Sequence, residues 1–142
     1  MRYLRAGIVA ALAAATLAVP SSASAQIDSL SITDARLGPE GASVTVTLTY
    51  QCQPGWNVAF GSAEVAQSTG KRLNRGFGSF SNPFPGVPCT GTLQSREVVV
   101  SATAFPFKQG RVAVSATLTV FNPTTFSFVT ATAGPQEFRV RK

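Results

Sequence analysis

The sequence holds no histidine, two cysteines and one tryptophan, and only 13% of its residues are charged. Without histidine, the usual general base near neutral pH and the commonest metal ligand are both missing. Serine and threonine abound, yet no Ser/His/Asp or Ser-x-x-Lys arrangement stands ready to activate one. There is no G-x-S-x-G and no phosphate-cradling glycine loop. The carboxylates Asp28, Asp34, Glu40, Glu64, Glu97 and Glu137 are isolated along the chain. A carboxylate-based hydrolase would need two of them to meet in space. Glu64, in a strand among apolar neighbours, is the one to watch, although a lone strand carboxylate is ordinarily solvated or salt-bridged. These absences predict a protein that is not an enzyme and that carries no cofactor or metal.

No segment has helical period, and no second apolar stretch follows the first. That first stretch opens the chain: Met1-Arg2-Tyr3-Leu4-Arg5, an apolar run from Ala6 to Pro20, then Ser21-Ser22-Ala23-Ser24-Ala25. A basic n-region, a short apolar h-region and a small-x-small site are the three parts of a secretory signal. Ala23 and Ala25 meet the steric rule of the cleavage pocket, so cleavage is expected after Ala25. The apolar run falls short of the roughly 20 residues that span a bilayer, and no cysteine follows it for lipid attachment. The expectation is a signal peptide over 1–25 and a single domain over 26–142. That domain is secreted, or periplasmic in a host with an outer membrane, and has no transmembrane segment.

With two cysteines, Cys52 and Cys89, and no C-x-x-C, an exported chain is expected to form one structural bridge rather than a redox site. Closing that loop constrains the unfolded chain by roughly 4 kcal/mol.

Charge says little about partners. Losing Arg2 and Arg5 leaves ten basic residues against six acidic ones, a net charge of +4. The cations are scattered, with small clusters at Lys71 to Arg75 and Arg139 to Lys142, which fit solvated strand ends. A phosphate-binding surface would concentrate them, so no nucleic-acid partner is expected.

What is present is a period of two. Val44, Val46, Leu48, Tyr50 and Cys52 alternate with Thr45, Thr47, Thr49 and Gln51, marking a half-buried strand that points Cys52 inward. Val112, Val114, Ala116, Leu118 and Val120 repeat this against Ser115, Thr117 and Thr119, and Val98, Val100, Ala102 and Ala104 do so again. Weaker strands are expected over 27–37, 57–67, 71–77, 125–132 and 136–141. Turn signals separate them, among them Gln53-Pro54-Gly55, Lys108-Gln109-Gly110, Asn122-Pro123 and Gly134-Pro135. The pattern predicts an all-β fold, an antiparallel sandwich of 7–8 strands with one disulfide.

One stretch breaks the rhythm, from Gly76 to Pro88. It has too much glycine and proline for a regular strand, yet carries Phe77, Phe80 and Phe84. Either the rings fold over an open end of the sandwich, pinned by Cys89, or some face solvent as a recognition surface. If a surface site exists, Trp56, Phe77, Phe80 and Phe84 are its expected members, with Arg75 alongside.

Tyr50-Gln51-Cys52, Trp56 and Val87-Pro88-Cys89-Thr90-Gly91 resemble small secreted immunoglobulin-like domains. In particular they are similar to uncharacterised exported domains of actinobacteria. The resemblance spans most of residues 26–142 and implies a fold without an activity. It departs from true immunoglobulin domains in two ways. Trp56 follows Cys52 too closely to be the family's core tryptophan, and Tyr50 precedes the first cysteine rather than the second. The bridge is therefore expected to tie the end of the second strand to the Phe/Pro loop. Asn122-Pro123-Thr124-Thr125 also resembles a loop of chagasin-like cysteine-protease inhibitors, but comes late in the chain and ends in Phe126 rather than glycine.

The reading from sequence is an exported, non-catalytic binding or interaction module. Its partner is unspecified, with an envelope polymer or an extracellular protein as candidates. A secreted protease inhibitor and a carboxylate-based hydrolase are the alternatives.

Overall fold

The computed structural model describes residues 26–141; the expected signal peptide and Lys142 lie outside the described residues. The alternating stretches become strands, because each can bury one apolar face while its Thr and Ser face water. The one expected to run inward to Ala104, however, ends at Ala102 and leaves Ala104 exposed. In chain order they are β1 (Ile27–Leu37), β2 (Ser43–Cys52), β3 (Asn57–Thr69), β4 (Arg72–Ser81), β5 (Val87–Pro88), β6 (Gln94–Ala102), β7 (Gly110–Asn122) and β8 (Ser127–Val140). Among the described residues the only helical element is a 3-10 turn at Pro39–Gly41.

Every pairing is antiparallel, and the strands lie in the order β1-β2-β6-β4-β3-β7-β8, with β5 beside the start of β3. The sheet is nearly closed on itself. β4 and β6 meet through two residue pairs only, Gly76 with Ala102 and Phe77 with Ser101. At the other seam the Leu37 N–H donates to the Arg141 carbonyl at 3.3 Å, joining the ends of β1 and β8.

Two further expectations are corrected. β4 runs on through Gly76 and Gly78 to Ser81, where the glycine content predicted a loop. Those glycines are what let β4 reach β6: a Cβ at Gly78 would collide with the Val99 carbonyl, and one at Gly76 would lie 2.5 Å from the Ser101 carbonyl. Likewise Gly134-Pro135 does not end a strand. Between Val114 and Ala116 the register slips, two residues of β8 opposing one of β7. Gly134, at φ +90, supplies the left-handed residue of this bulge. β8 ends the strand order, where proline's missing N–H is tolerated.

The inward faces form two apolar clusters. One centres on Val44, Val46, Leu48, Val65, Val100 and Val114. The other gathers Ile27, Tyr50, Val58, Leu118 and Val120 around the Cys52–Cys89 disulfide. Phe80 packs against both. The bridge joins the last residue of β2 to the residue after β5, closing the end of the domain that carries the Phe/Pro loop.

Candidate functional site

The outer face of β3, β7 and β8 at the disulfide end carries a cluster of phenylalanines. The inward phase of Val112 to Val120 puts Thr119 and Phe121 on the outer face, yet both are buried. Phe121 is covered by three other rings. Phe128, its cross-strand partner, lies 4.8 Å away between centroids, Phe84 5.4 Å and Phe126 6.0 Å. Phe121 is 3% exposed, whereas Phe84, Phe126 and Phe128 are 78%, 74% and 63% exposed. Phe60, opposite Thr119 in β3, is also exposed on this face. At roughly 200 Å² per ring, the four exposed rings present on the order of 500 Å² of apolar surface. That is the upper range for a monomer's largest patch, and such patches are often functional.

The rings are held rather than loose. The Gly86 N–H donates to the Pro83 carbonyl at 2.7 Å, closing the turn that bears Phe84. Asn57 Nδ2 donates to the Pro85 carbonyl at 3.0 Å, and Asn82 Nδ2 to the Val58 carbonyl at 2.9 Å, pinning the loop to β3. In the β7–β8 turn, Asn122 Oδ1 accepts from the N–H groups of Thr124 and Thr125 at 2.9 and 3.1 Å. Phe126 then adopts φ +53, a left-handed conformation unusual for an aromatic residue. Strain of this kind, of order 1–3 kcal/mol, persists where surroundings impose it and clusters at functional positions.

Charge is absent from this end almost entirely. Residues 41–63, 76–95 and 112–136 contain no Asp, Glu, Lys or Arg. The topology folds these three stretches so that their loops meet at the disulfide end, where Asp28 is the nearest charge along β1. Depletion of charge together with aromatic enrichment is the composition of an interface core.

Of the five residues expected at a surface site, Phe84 alone belongs to this patch. Phe77 is exposed on the outer face of β4, paired with Glu64. Arg75, on the same face, approaches Glu64 at 3.9 Å. Phe80 points inward and is half-buried, with the Arg96 guanidinium 5.1 Å from its ring centre. Trp56 is half-buried against the disulfide cluster. Phe60, Phe121, Phe126 and Phe128 were missed. The signal was in the phase: the β7 alternation that turns Val120 inward turns Phe121 outward, and Phe126-Ser127-Phe128 follows directly after the turn.

Three of the carboxylates stand in ion pairs. Asp34 pairs with Arg36 and Glu137 with Arg111, the latter at 3.4 Å. Asp28 accepts a hydrogen bond from Gln53 Nε2 at 3.4 Å. Glu64 is outward-facing and exposed beside Arg75. Among the described residues no helix is long and apolar enough to cross a membrane.

Comparison with protein-family models, with curated proteins and with solved structures returns no match. The residues themselves therefore carry the functional argument.

Proposed function

We propose that this chain is an exported, non-catalytic interaction module on an immunoglobulin-like sandwich, with an extracellular protein as partner. The observation that carries this reading is the patch of Phe84, Phe126, Phe128 and Phe60 around buried Phe121, rigidly held and free of charge. Rigid aromatic rings bury much area at little entropic cost, which is why aromatic anchors dominate binding energy at protein interfaces. Export is supported by the signal-like pattern of residues 1–25 and by the disulfide. The sandwich is supported by the narrow β4–β6 junction, which divides the strand order into β1-β2-β6 and β4-β3-β7-β8. The test is a titration of the oxidised domain, residues 26–142, against a panel of extracellular proteins, alongside a Phe84→Ser/Phe126→Ser variant of unchanged stability. Binding to the parent and not to the variant is the expected result.

A second reading, a secreted protease inhibitor, is favoured by the Asn122–Phe126 turn. Its two Asx hydrogen bonds stiffen it, and it projects Phe126 into solvent. This reading expects dose-dependent inhibition and a turn that resists cleavage.

A further inference from the structure

A cut after Ala25 would leave Gln26 as the first residue of the exported chain. The fold gives this residue a defined place. Its carbonyl accepts from the Gln53 N–H at 3.1 Å, one step beyond the Ile27–Cys52 pair that opens the β1–β2 ladder. Ile27 itself is buried and packs in the disulfide cluster. The chain is thus tied down as far as the Gln26 carbonyl, and a terminal amine on Gln26 would stand just outside that tie.

The side-chain amide of Gln26 is unused. Gln51 donates its amide to the Gly91 carbonyl, Gln53 to Asp28 and Gln67 to the Lys108 carbonyl. Gln26 is half-buried, and among the described residues no hydrogen bond engages its side chain. Its amide carbon is therefore an electrophile that nothing else in the fold occupies.

The matching nucleophile belongs to the same residue. A freed α-amine and the side-chain amide share one Cα, so attack closes a small unstrained lactam and needs no movement of the strand. Confining both groups to one residue supplies the entropic advantage of an intramolecular reaction. An α-amine has an ordinary pKa of about 8, so about a tenth of it is the neutral nucleophile at pH 7.

We propose that Gln26 is a modification site, closing to pyroglutamate once the chain is exported. The inference rests on the export reading above, and on cleavage after Ala25 in particular. The α-nitrogen attacks the side-chain Cδ, the new N–Cδ bond forms and the Cδ–Nε2 bond breaks. A proton from the amine passes to the departing nitrogen, which leaves as ammonia. No oxidant, reductant or co-reactant takes part. The Gln26 carbonyl is untouched, so its bond from the Gln53 N–H survives.

The product suits the end of the domain that bears it. An α-ammonium would bring a positive charge beside the uncharged stretches 41–63, 76–95 and 112–136, whereas the lactam is neutral. Depletion of charge is what an interface core requires. The lactam also offers no free amine to an aminopeptidase, which shields Ile27, the first residue of β1 and a member of the core, from trimming.

The test uses the full chain, residues 1–142, expressed in a secreting bacterial host. The exported protein is recovered, its intact mass is measured before any digestion, and its N-terminal peptide is then sequenced by mass spectrometry. The expected peptide begins at residue 26 and, in the bulk of the protein, is lighter than the uncyclised form by the mass of one ammonia. Gln26→Asn, whose shorter side chain closes no unstrained lactam, should begin at the same residue with a free amine and its full mass. A parent protein that begins at Gln26 and still carries mostly free amine after prolonged incubation at neutral pH would overturn the cyclisation and leave export standing. A chain that begins at another residue, or that stays uncut inside the cell, would overturn the cleavage and this inference with it.

Discussion

Phe80 lies over Gly61. The two are cross-strand partners in β3 and β4, and a Cβ on Gly61 would sit 2.6 Å from Phe80 Cε1, so the ring fills the space the glycine leaves. Two phenylalanines four residues apart therefore have different duties, Phe80 closing both core clusters and Phe84 facing solvent. Phe80→Ser is expected to cost about 2–4 kcal/mol in urea unfolding. Phe84→Ser should stay within about 0.5 kcal/mol of the parent. Similar losses for the two would contradict this division.

How much of this was legible beforehand depends on which force decided each feature. The strands were, because burying one face of a sheet imposes a period of two that β2 and β7 carry without interruption. The disulfide's partners followed from there being two cysteines in the sequence, and the inward position of Cys52 at the end of β2 from the same phase. The extent of β4 was not, since Gly76 and Gly78 are selected by how closely β6 approaches, a contact between residues about 20 positions apart. The aromatic patch was half visible: Phe84 was marked by its loop. Phe126 and Phe128 acquire meaning only when the β7–β8 register sets them beside Phe121.

The glycine at the seam gives a second expectation. Because a side chain at Gly78 would strike the Val99 carbonyl, Gly78→Ala should force β4 away from β6 and destabilise the domain by about 1–3 kcal/mol. Hydrogen exchange should show faster opening of β6 amides in the variant. An unchanged melting temperature would mean that the seam does not need this close approach.

Removing the bridge with Cys52→Ser/Cys89→Ser should lower stability by roughly 3–4 kcal/mol, the loop-closure value for a separation of 37 residues. The Cys89 N–H bonds the Trp56 carbonyl at 2.8 Å, and Trp56 packs on the same cluster. Reduction should therefore also alter Trp56 emission. A variant as stable as the parent, with unchanged emission, would contradict the structural role.

Tyr50 provides a pH signature. Burial pushes its hydroxyl above the ordinary value near 10, against the opposing pull of the Arg96 guanidinium. The folded state then holds the phenolic proton more tightly than the unfolded chain. Tyr50 thus leaves stability unchanged below about pH 10, and stability falls as pH rises through the unfolded and then the folded value. Tyr50 is the only tyrosine of residues 26–142, so phenolate absorbance reads it directly. The expected outcome is a titration above the free value and, in Tyr50→Phe, a shallower loss of stability at high pH. A midpoint at or below the free value would contradict the burial.

The aromatic patch is the central claim, and one side-by-side titration tests it most directly. The oxidised domain and its Phe84→Ser/Phe126→Ser/Phe128→Ser variant, matched for folding by near-ultraviolet circular dichroism, are titrated with the same extracellular protein partner. Loss of the anchors should weaken binding by at least about tenfold, since hot-spot rings each contribute about 2 kcal/mol or more. The loss should vary little with salt, because the surface carries no charge for ions to screen. A partner that binds both proteins equally well would contradict the assignment of this surface.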